Sequence, residues 1–219
     1  MTGWSVGTLG DYRAACLSSK DGVDPSAGKQ PVELAIRQLE EANAEVGTKL
    51  GFTDVALKES GMENLKVSEL KNKWTALQQV DQNPSSKPAS DQYDGLVSDV
   101  RGFIGHAGDT SNLTLDPEMD SYYLADATSV TTVQSLNRIG SAIVALEPIL
   151  RNGPSTAATR TQAAVFSAML KESDFDRITG DIDTALKENA KSPRGQTPTL
   201  KATIEPVAAR YKTDRKSVV

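Results

Sequence analysis

The chain has little of the chemistry that enzymes and metal proteins use: one cysteine and one histidine in 219 residues. A single cysteine, Cys16, excludes an intrachain disulfide and a zinc site built on cysteines. A single histidine, His106, argues against catalytic triads and histidine-rich metal sites. The calcium-loop pattern, the P-loop, the dinucleotide glycine fingerprint and the nucleophile elbow are also missing. We therefore expect no enzyme activity, no cofactor and no metal.

Long apolar runs and an excess of positive charge are missing too. No run approaches the roughly 20 apolar residues that cross a bilayer, and no signal peptide follows Met1. Taken alone, this indicates a soluble protein, but a receptor domain separated from its membrane anchors would look the same. Acids outnumber bases by 29 to 24. Because phosphate binding needs a basic face, we expect no nucleic-acid partner.

Aromatic residues are scarce, at 5%, and hydrophobic residues make up only 38% of the chain. Thin cores of this kind suit elongated bundles, in which each helix buries one narrow stripe. Apolar residues recur at helical spacing and predict about seven helices and no strand. The sequence thus predicts an all-α fold over residues 1–219: an antiparallel, up-and-down bundle around four helices. The segments before residue 85 leave room for a second, stacked helical module.

Several boundaries follow from local signals. Pro31 is predicted at the first position of a helix, and residues 50–57 are predicted to continue that helix with a bend. The two longest predicted helices run over 118–151 and 156–190. The apolar stripe of the first of these is Met119, Tyr122 or Tyr123, Asp126, Val130, Val133, Leu136 or Asn137, Gly140, Ile143, Leu146 and Leu150. Helix breaks are predicted at Pro84, Pro88, Pro154 and Pro193.

The corner between two helices, residues 108–126, is the most polar and aromatic part of the chain. Asp116 is suited to cap the helix that Pro117 opens. Glu118 and Asp120 fall in its first turn, where the helix dipole favours acids. Helix-start chemistry therefore accounts for these three acids without any ligand.

Asp126 is not explained in that way, because it falls on the apolar stripe and must be paired if it faces a core. It follows Tyr122 and Tyr123 by four and three residues, so the three side chains share one helix face. One interpretation is a structural bond to a tyrosine hydroxyl or to Arg101 or Arg138. The other is an inward-facing site for a small ligand.

The preceding helix adds candidates to such a site. Asp109 and Asn112 are expected to lie beside the two tyrosines after the turn. Gly102, Gly105 and Gly108 recur every three residues, which indicates either close helix contact or room for a bound molecule. The predicted ligand-binding residues are Asp109, Asn112, Tyr122, Tyr123, Asp126, Arg101 and Arg138.

The segment GDTSNLTLDPEMDSYYLAD at 108–126 resembles a run found in the extracytoplasmic sensor regions of bacterial transmembrane receptors. These include HAMP-linked sensor histidine kinases and methyl-accepting chemotaxis receptors. The resemblance covers under a tenth of the chain. The matching positions are Asp109, Ser111, Asn112, Leu113, Leu115, Asp116, Pro117, Asp120, Ser121, Tyr122, Tyr123, Leu124 and Asp126.

The resemblance implies a periplasmic helical domain of an inner-membrane receptor, joined to transmembrane and signalling parts that this chain does not include. Such a domain binds a small molecule, acts as a homodimer and passes a helix displacement across the membrane. Arginines suggest an organic acid as ligand, and the tyrosines suggest an aromatic compound. The alternatives are a soluble helical adaptor that binds proteins through a helix face, and an enzyme with Asp109 and Asp126 as an acid–base pair.

Overall fold

The computed structural model describes residues 6–18, 26–80, 87–113, 115–152, 156–192 and 196–215. Within these ranges the chain is helical and contains no strand, so the predicted all-α class is confirmed. The up-and-down arrangement around four helices, and the single-domain organisation of 1–219, stay predictions. The breaks expected at Pro84, Pro154 and Pro193 lie outside the described residues. Pro88 is the second residue of the helix Lys87–Thr110, so the break predicted there is wrong. No helix in these ranges is both long and apolar enough to span a membrane.

Ten α-helices follow one another in the described part of the chain. They are α1 Val6–Ser18, α2 Ser26–Val46, α3 Asp54–Glu59, α4 Val67–Gln79, α5 Lys87–Thr110, α6 Met119–Ala125, α7 Thr132–Asn152, α8 Ala157–Met169, α9 Asp176–Asn189 and α10 Pro198–Arg215. A 3-10 turn occupies Glu63–Leu65. Two wider, π-helical turns join α6 to α7 and α8 to α9; we call Asp126–Thr131 the first π segment and Leu170–Phe175 the second π segment. The long helices predicted over 118–151 and 156–190 are therefore continuous, but each contains one π turn.

The boundaries of α2 differ from the prediction. The helix begins at Ser26, so Pro31 lies inside it and the predicted start is wrong. It ends at Val46, and the backbone of Gly51 turns into the left-handed region with φ +69°. A helix cannot pass through that conformation, so the predicted bent continuation is also wrong. The hydroxyl of Thr53 then accepts the N–H of Ala56 at 3.2 Å and starts the separate helix α3.

The hydrophobic core lies in the first half of the chain. Its buried side chains come from α1 to α5 and the turns between them. They are Leu9, Tyr12, Cys16, Val32, Ile36, Leu39, Phe52, Leu57, Leu65, Val67, Leu70, Trp74, Leu77, Tyr93, Leu96, Val97, Val100 and Phe103. Val133 and Leu136 of α7 pack against this cluster from the second half of the chain.

Helix α1 joins the two halves, because it packs on α2, α5 and α7. Its buried Arg13 donates to Asp94 at 3.1 Å and to Ser90 at 2.8 Å, and lies 4.2 Å over the ring of Tyr93. Where α1 crosses α7, a Cβ on Gly140 would lie 3.7 Å from the Cα of Gly10. The missing side chains let the two helix backbones approach closely.

The second half of the chain buries small and polar side chains instead of large apolar ones. Thr131 and Ser135 are buried, whereas Val130, Ile143 and Leu150 of the predicted stripe are exposed. A π turn adds one residue to the helix, which rotates the residues after it by roughly 100° relative to an uninterrupted α-helix. The predicted stripe is therefore wrong at these three positions. It is also wrong at Met119, which is exposed and precedes the π turn, so the rotation does not explain that position.

We predict that the core carries most of the stability of the fold. Leu96→Ala removes a fully buried side chain of α5 and is expected to lower the free energy of unfolding by about 2–5 kcal/mol. The matched control is Leu115→Ala, because Leu115 is 75% exposed and its truncation is expected to change stability by less than about 0.5 kcal/mol. Urea unfolding measures both, and equal losses would contradict the placement of the core.

Candidate functional site

The corner between α5 and α6 is a turn of defined geometry. Asn112 adopts a left-handed backbone with φ 57°, and the N–H of Leu113 bonds the carbonyl of Gly108 at 3.0 Å. The carboxylate of Asp116 accepts the N–H of Glu118 at 2.9 Å. Helix α6 begins at Met119, later than the start predicted at Pro117. Asp116 thus closes the turn before the helix and does not cap the helix itself.

The two acids after Pro117 fix the corner to the far end of α9. The amide of Asn189 donates to Asp120 at 2.8 Å, and the hydroxyl of Ser192 donates to Glu118 at 3.2 Å. Asp120 also lies in the first turn of α6, as the dipole argument predicts. The bonds to Asn189 and Ser192 depend on residues about 70 positions away, which local helix-start chemistry does not indicate.

Asp126 opens the first π segment and turns inward, with 14% of its side chain exposed. Arg177 of α9 binds both of its oxygens, through Nε at 2.9 Å and Nη2 at 2.7 Å. The hydroxyl of Thr131 adds a bond at 3.2 Å. The predicted partners Arg101 and Arg138 are therefore wrong, although the expectation that Asp126 needs an inward partner is confirmed.

Arg138 of α7 has a partner of its own in the second π segment. Its Nη1 lies 3.2 Å from the carboxylate of Asp174, which is fully buried, while 11% of the arginine side chain is exposed. Burial raises the pKa of Asp174, against the lowering effect of the guanidiniums of Arg138 and Arg177. The ion pair thus sits in a poorly solvated position between two helices.

Asp181 completes the group from α9, one turn after Arg177. Burial is the largest cause that raises its pKa to about 6. The contact with the carboxyl group of Asp126 raises the pKa further, and the positive charge of Arg177 opposes both effects. Two carboxyl groups therefore meet at the same guanidinium.

We call Asp126, Arg138, Asp174, Arg177 and Asp181 the charged cluster. Each π segment contributes one aspartate, and an arginine from the opposite helix binds it. Three carboxylates face two guanidiniums, and Oδ1 of Asp174 and Oδ2 of Asp181 are buried acceptors without a hydrogen-bond donor among the described residues. Native proteins rarely leave such acceptors unpaired, and π turns often occur at functional sites. The charged cluster is therefore a candidate functional centre.

A second candidate is a cleft of about 400 Å³ along α5, which we call the α5 cleft. Gly105 opens onto it, since a Cβ there would meet nothing within 4 Å. Gly102 makes a close contact instead, because its Cβ would lie 3.1 Å from Leu65. Close contact is thus observed at Gly102, whereas room for a bound molecule at Gly105 stays a prediction. The cleft is lined by Met62, Asn64, Leu65, Ser98, Asp99, Gly102, Gly105, His106 and Asp109.

The polar lining of the α5 cleft is partly held in place by its neighbours. Asp99 is buried, accepts the amide of Asn64 at 2.7 Å and pairs with Lys73. The ring of His106 packs edge-on against Phe52, with the ring centres 4.8 Å apart. No arginine or lysine belongs to the lining. The charged side chains of the lining are therefore two carboxylates, of which Asp99 is already paired with Lys73.

The predicted site residues separate into different places. Asp126 and Arg138 belong to the charged cluster, whereas Asp109 lines the α5 cleft. The rings of Tyr122 and Tyr123 contact each other edge-on at 5.4 Å, and Tyr122 is 42% exposed.

Two further predicted residues lie elsewhere on the surface. Arg101 is exposed on α5 and belongs to neither the lining of the cleft nor the charged cluster. Asn112 shapes the turn after α5 and is exposed. The ligand-binding role of the predicted residues stays a prediction.

Sequence reasoning missed three members of the charged cluster: Asp174, Arg177 and Asp181. Their spacing of three and four residues places them on one face of a helix. That face also carries the apolar residue Ile178, which is buried. The signal available in the sequence was a set of charged residues at helical spacing beside an apolar residue. Among the described residues, no group of three or more His, Cys, Asp and Glu side chains is arranged to hold a metal ion.

Neither the sequence nor the fold has a match among protein-family models, curated proteins or solved structures. The functional interpretation therefore depends on the geometry of the charged cluster and the α5 cleft.

We predict that removing only one partner of the ion pair between Arg138 and Asp174 strongly destabilises the fold. Arg138→Met leaves a buried carboxylate without its cation and is expected to cost about 3–5 kcal/mol of unfolding free energy. The double variant Arg138→Met, Asp174→Leu removes both charges and is expected to recover most of that loss. Urea unfolding at neutral pH measures both variants.

The matched control is Lys201→Met, which breaks the exposed pair between Lys201 and Glu205. That change is expected to cost less than about 0.5 kcal/mol. A loss in Arg138→Met no larger than in this control would contradict the structural importance of the buried pair.

Proposed function

We propose that this chain is the small-molecule-binding sensor domain of a bacterial transmembrane receptor, a two-component histidine kinase or a chemoreceptor. In this proposal the domain lies in the periplasm, and flanking membrane helices outside the chain connect it to the signalling module. It binds its ligand without chemical conversion. The α5 cleft is the observation that carries the proposal, since it leads directly to the corner whose sequence resembles such receptors.

The size and lining of the cleft support a small ligand with hydrogen-bond donors. Ligand pockets usually measure about 300–1,000 Å³, and this cleft measures about 400 Å³. Asp99 and Asp109 are the two carboxylates of the lining, and Lys73 pairs with Asp99 from outside it. The ligand class of this proposal is an amine or amino acid, in place of the organic acid expected from the arginines, because no arginine lines the cleft.

Contacts between helices provide a route for the signal. Helix α5 packs against the first π segment, which holds Asp126 of the charged cluster. A ligand in the cleft that binds one position of α5 more tightly than another would favour the corresponding packing of the first π segment. The population shift then depends only on that difference in affinity.

We predict that filling the cleft abolishes ligand binding. Gly105→Leu places a side chain in the open space above Gly105, so a ligand that stabilises the wild type is expected to produce no thermal shift in this variant. The measurement is a thermal-shift screen of the wild type against amines, amino acids, organic acids and aromatic compounds. The hits are then repeated with the variants.

Gly95→Leu is the matched control, because Gly95 lies on the same helix, is exposed and has no atom within 4 Å of a Cβ. Both substitutions raise helix propensity by a similar amount, roughly 0.5–1 kcal/mol. The control should keep the full ligand response. A ligand that shifts Gly105→Leu as much as Gly95→Leu would rule out the α5 cleft as its site.

An exposed apolar surface supports the second part of the proposal, a homodimer. Ile139, Ile143 and Leu150 of α7 are spaced by four and seven residues, so they share one helix face. Val165 and Met169 of α8 are exposed with a spacing of four. We call these five residues the α7–α8 stripe. Helices α7 and α8 contact each other, and exposed apolar side chains that form one patch commonly mark a protein interface.

The same stripe is the observation that favours the alternative function, a helical adaptor that binds other proteins. The two functions differ in the α5 cleft, because only a sensor needs a ligand there. A stripe that pairs two copies, combined with a ligand response lost in Gly105→Leu, supports the sensor. A monomer without any ligand response would support the adaptor.

We predict that Ile143→Lys prevents self-association, since a charge in the α7–α8 stripe must be desolvated when two copies meet. Size-exclusion chromatography with light scattering is expected to show a dimer for the wild type and a monomer for the variant. Val55→Lys is the control, because Val55 is 67% exposed on α3, outside the stripe. A wild type that is monomeric at all concentrations would contradict the homodimer.

A further inference from the structure

We propose that the charged cluster is a proton-binding site: one proton shared by the carboxyl groups of Asp126 and Asp181 holds the first π segment against α9. The proton is a second stimulus, distinct from a ligand in the α5 cleft. Protonation strengthens the contact between the two long helices that contain the π turns, and loss of the proton weakens it.

The hydrogen-bonding capacity of the two carboxyl groups supports this site. An ionised carboxylate has acceptors and no donor. Arg177 already occupies both oxygens of Asp126, yet Asp181 lies against that same carboxyl group. Oδ2 of Asp181 is buried and has no donor among the described residues. A proton on Asp181 converts this acceptor into a donor to Asp126 and removes the repulsion between two like charges.

The charges around the pair leave an excess of one negative charge when every group is ionised. Asp126 faces the pair from the first π segment, Asp174 from the second π segment, Arg138 from α7, and Arg177 and Asp181 from α9. One bound proton makes the charged cluster neutral, which is the favourable state for groups removed from water.

Other ionisable groups on the elements packed against α9 have partners outside the charged cluster. Asp120 of α6 accepts from Asn189, Lys171 of the second π segment pairs with Asp176, and Lys212 of α10 binds Asp183. Tyr211 of α10 packs edge-on against Phe175. On α5, which contacts the first π segment, Asp99 pairs with Lys73. Glu172 of the second π segment and Arg210 of α10 are further charged groups on elements packed against α9, and both are exposed.

The direction of the pH effect follows from the raised pKa of Asp181, about 6 in the folded chain against an ordinary value of 3.8. The folded state binds this proton more tightly than the unfolded state does. Its contribution to stability is therefore fully present below about pH 4 and is lost as the pH rises through about 6. Mild acidification tightens the charged cluster, and neutral pH loosens it.

The change in protonation acts on the packing of the first π segment. The first π segment contacts α5, α6, α7 and α9, so a change in its packing on α9 reaches each of these helices. Wide turns inside helices are sites where the helix register can change with little loss of other bonds. The bound proton thus favours one packing of the first π segment on α9 over another, as a bound ligand does in other conformational switches.

The experiment compares two substitutions on α9. Asp181→Asn replaces the carboxyl group by a neutral amide that donates to Asp126 at any pH, so it mimics the protonated state. Asp183→Asn is the control, since Asp183 is exposed and binds Lys212. Melting temperature is measured between about pH 4.5 and pH 8 for the full chain, with hydrogen exchange of the amides of 126–131 corrected for the intrinsic rate.

The wild type and Asp183→Asn are expected to lose several degrees of melting temperature, and protection at 126–131, as the pH rises through about 6. Asp181→Asn is expected to lose the part of this slope that Asp181 contributes, while the raised pKa of Asp174 keeps its own contribution, and to show wild-type protection at acidic pH. Gly105→Leu should keep the wild-type profile, which separates this site from the α5 cleft. An Asp181→Asn profile with the wild-type slope would overturn the proposal.

A measurement on the unmodified protein keeps the test independent of how the variants fold. The carboxyl carbon signals of the aspartates, followed by NMR across the same pH range, are expected to include one that titrates near 6 and is missing from Asp181→Asn. If every aspartate titrates below about pH 5, the shared proton does not exist and the proposal is wrong.

Discussion

The bidentate ion pair between Arg177 and Asp126 links the two long helices that contain the π turns, at a contact where few large apolar side chains are buried. From residue 119 onwards, the buried apolar side chains of the described part of the chain are Ala125, Ala127, Ala142, Ile178, Ala185 and Ala208. Burying alanines contributes little compared with burying leucines or phenylalanines. The helices instead meet through small residues and through ion pairs, of which the pair of Arg138 and Asp174 is buried and the pair of Arg177 and Asp126 is partly exposed. Breaking a buried ion pair from one side is costly, because it leaves a charge without its partner.

Different interactions therefore stabilise the two halves of the chain. In the first half, large side chains such as Leu70 and Trp74 fill a continuous hydrocarbon core. A core of that kind is rigid, because displacing any member opens a cavity. In the second half, polar contacts depend on protonation and on hydrogen-bond geometry, so their strength changes with conditions. Helix α1 connects the two through Arg13 and through the close crossing at Gly10 and Gly140.

This division explains why the proposed site and the proposed response lie in different places. The α5 cleft is built on the rigid half, where Lys73 and Asn64 hold Asp99 in position. The first π segment lies between that helix and the adjustable half. A binding site benefits from preorganised walls, whereas a response needs an element with two packings of similar free energy. The exposed α7–α8 stripe lies on the adjustable half, where a change in packing would alter what a second copy meets.

The amino-acid sequence by itself determined the features that arise within a few turns of chain. Helical spacing predicted the all-α class and the two long continuous helices, and the position of Asp126 on an apolar stripe predicted that its carboxylate turns inward. The sequence did not predict the helix break near Gly51 or the start of α2 at Ser26. The backbone angle of Gly51 ends the helix despite the apolar pattern, and Pro31 is tolerated inside α2.

Only the tertiary structure decided the rest. Arg177 lies 51 residues from Asp126 and Arg138 lies 36 residues before Asp174, so no local spacing selects these pairs over Arg101 or a tyrosine. The single residue that each π turn adds rotates everything after it, which is why Val130 and Ile143 face solvent and Thr131 and Ser135 do not. The period of a sequence pattern reports the average rotation per residue of a helix. Whether a side chain is buried depends on the total rotation along the helix, including that of each π turn, and on which helix lies opposite.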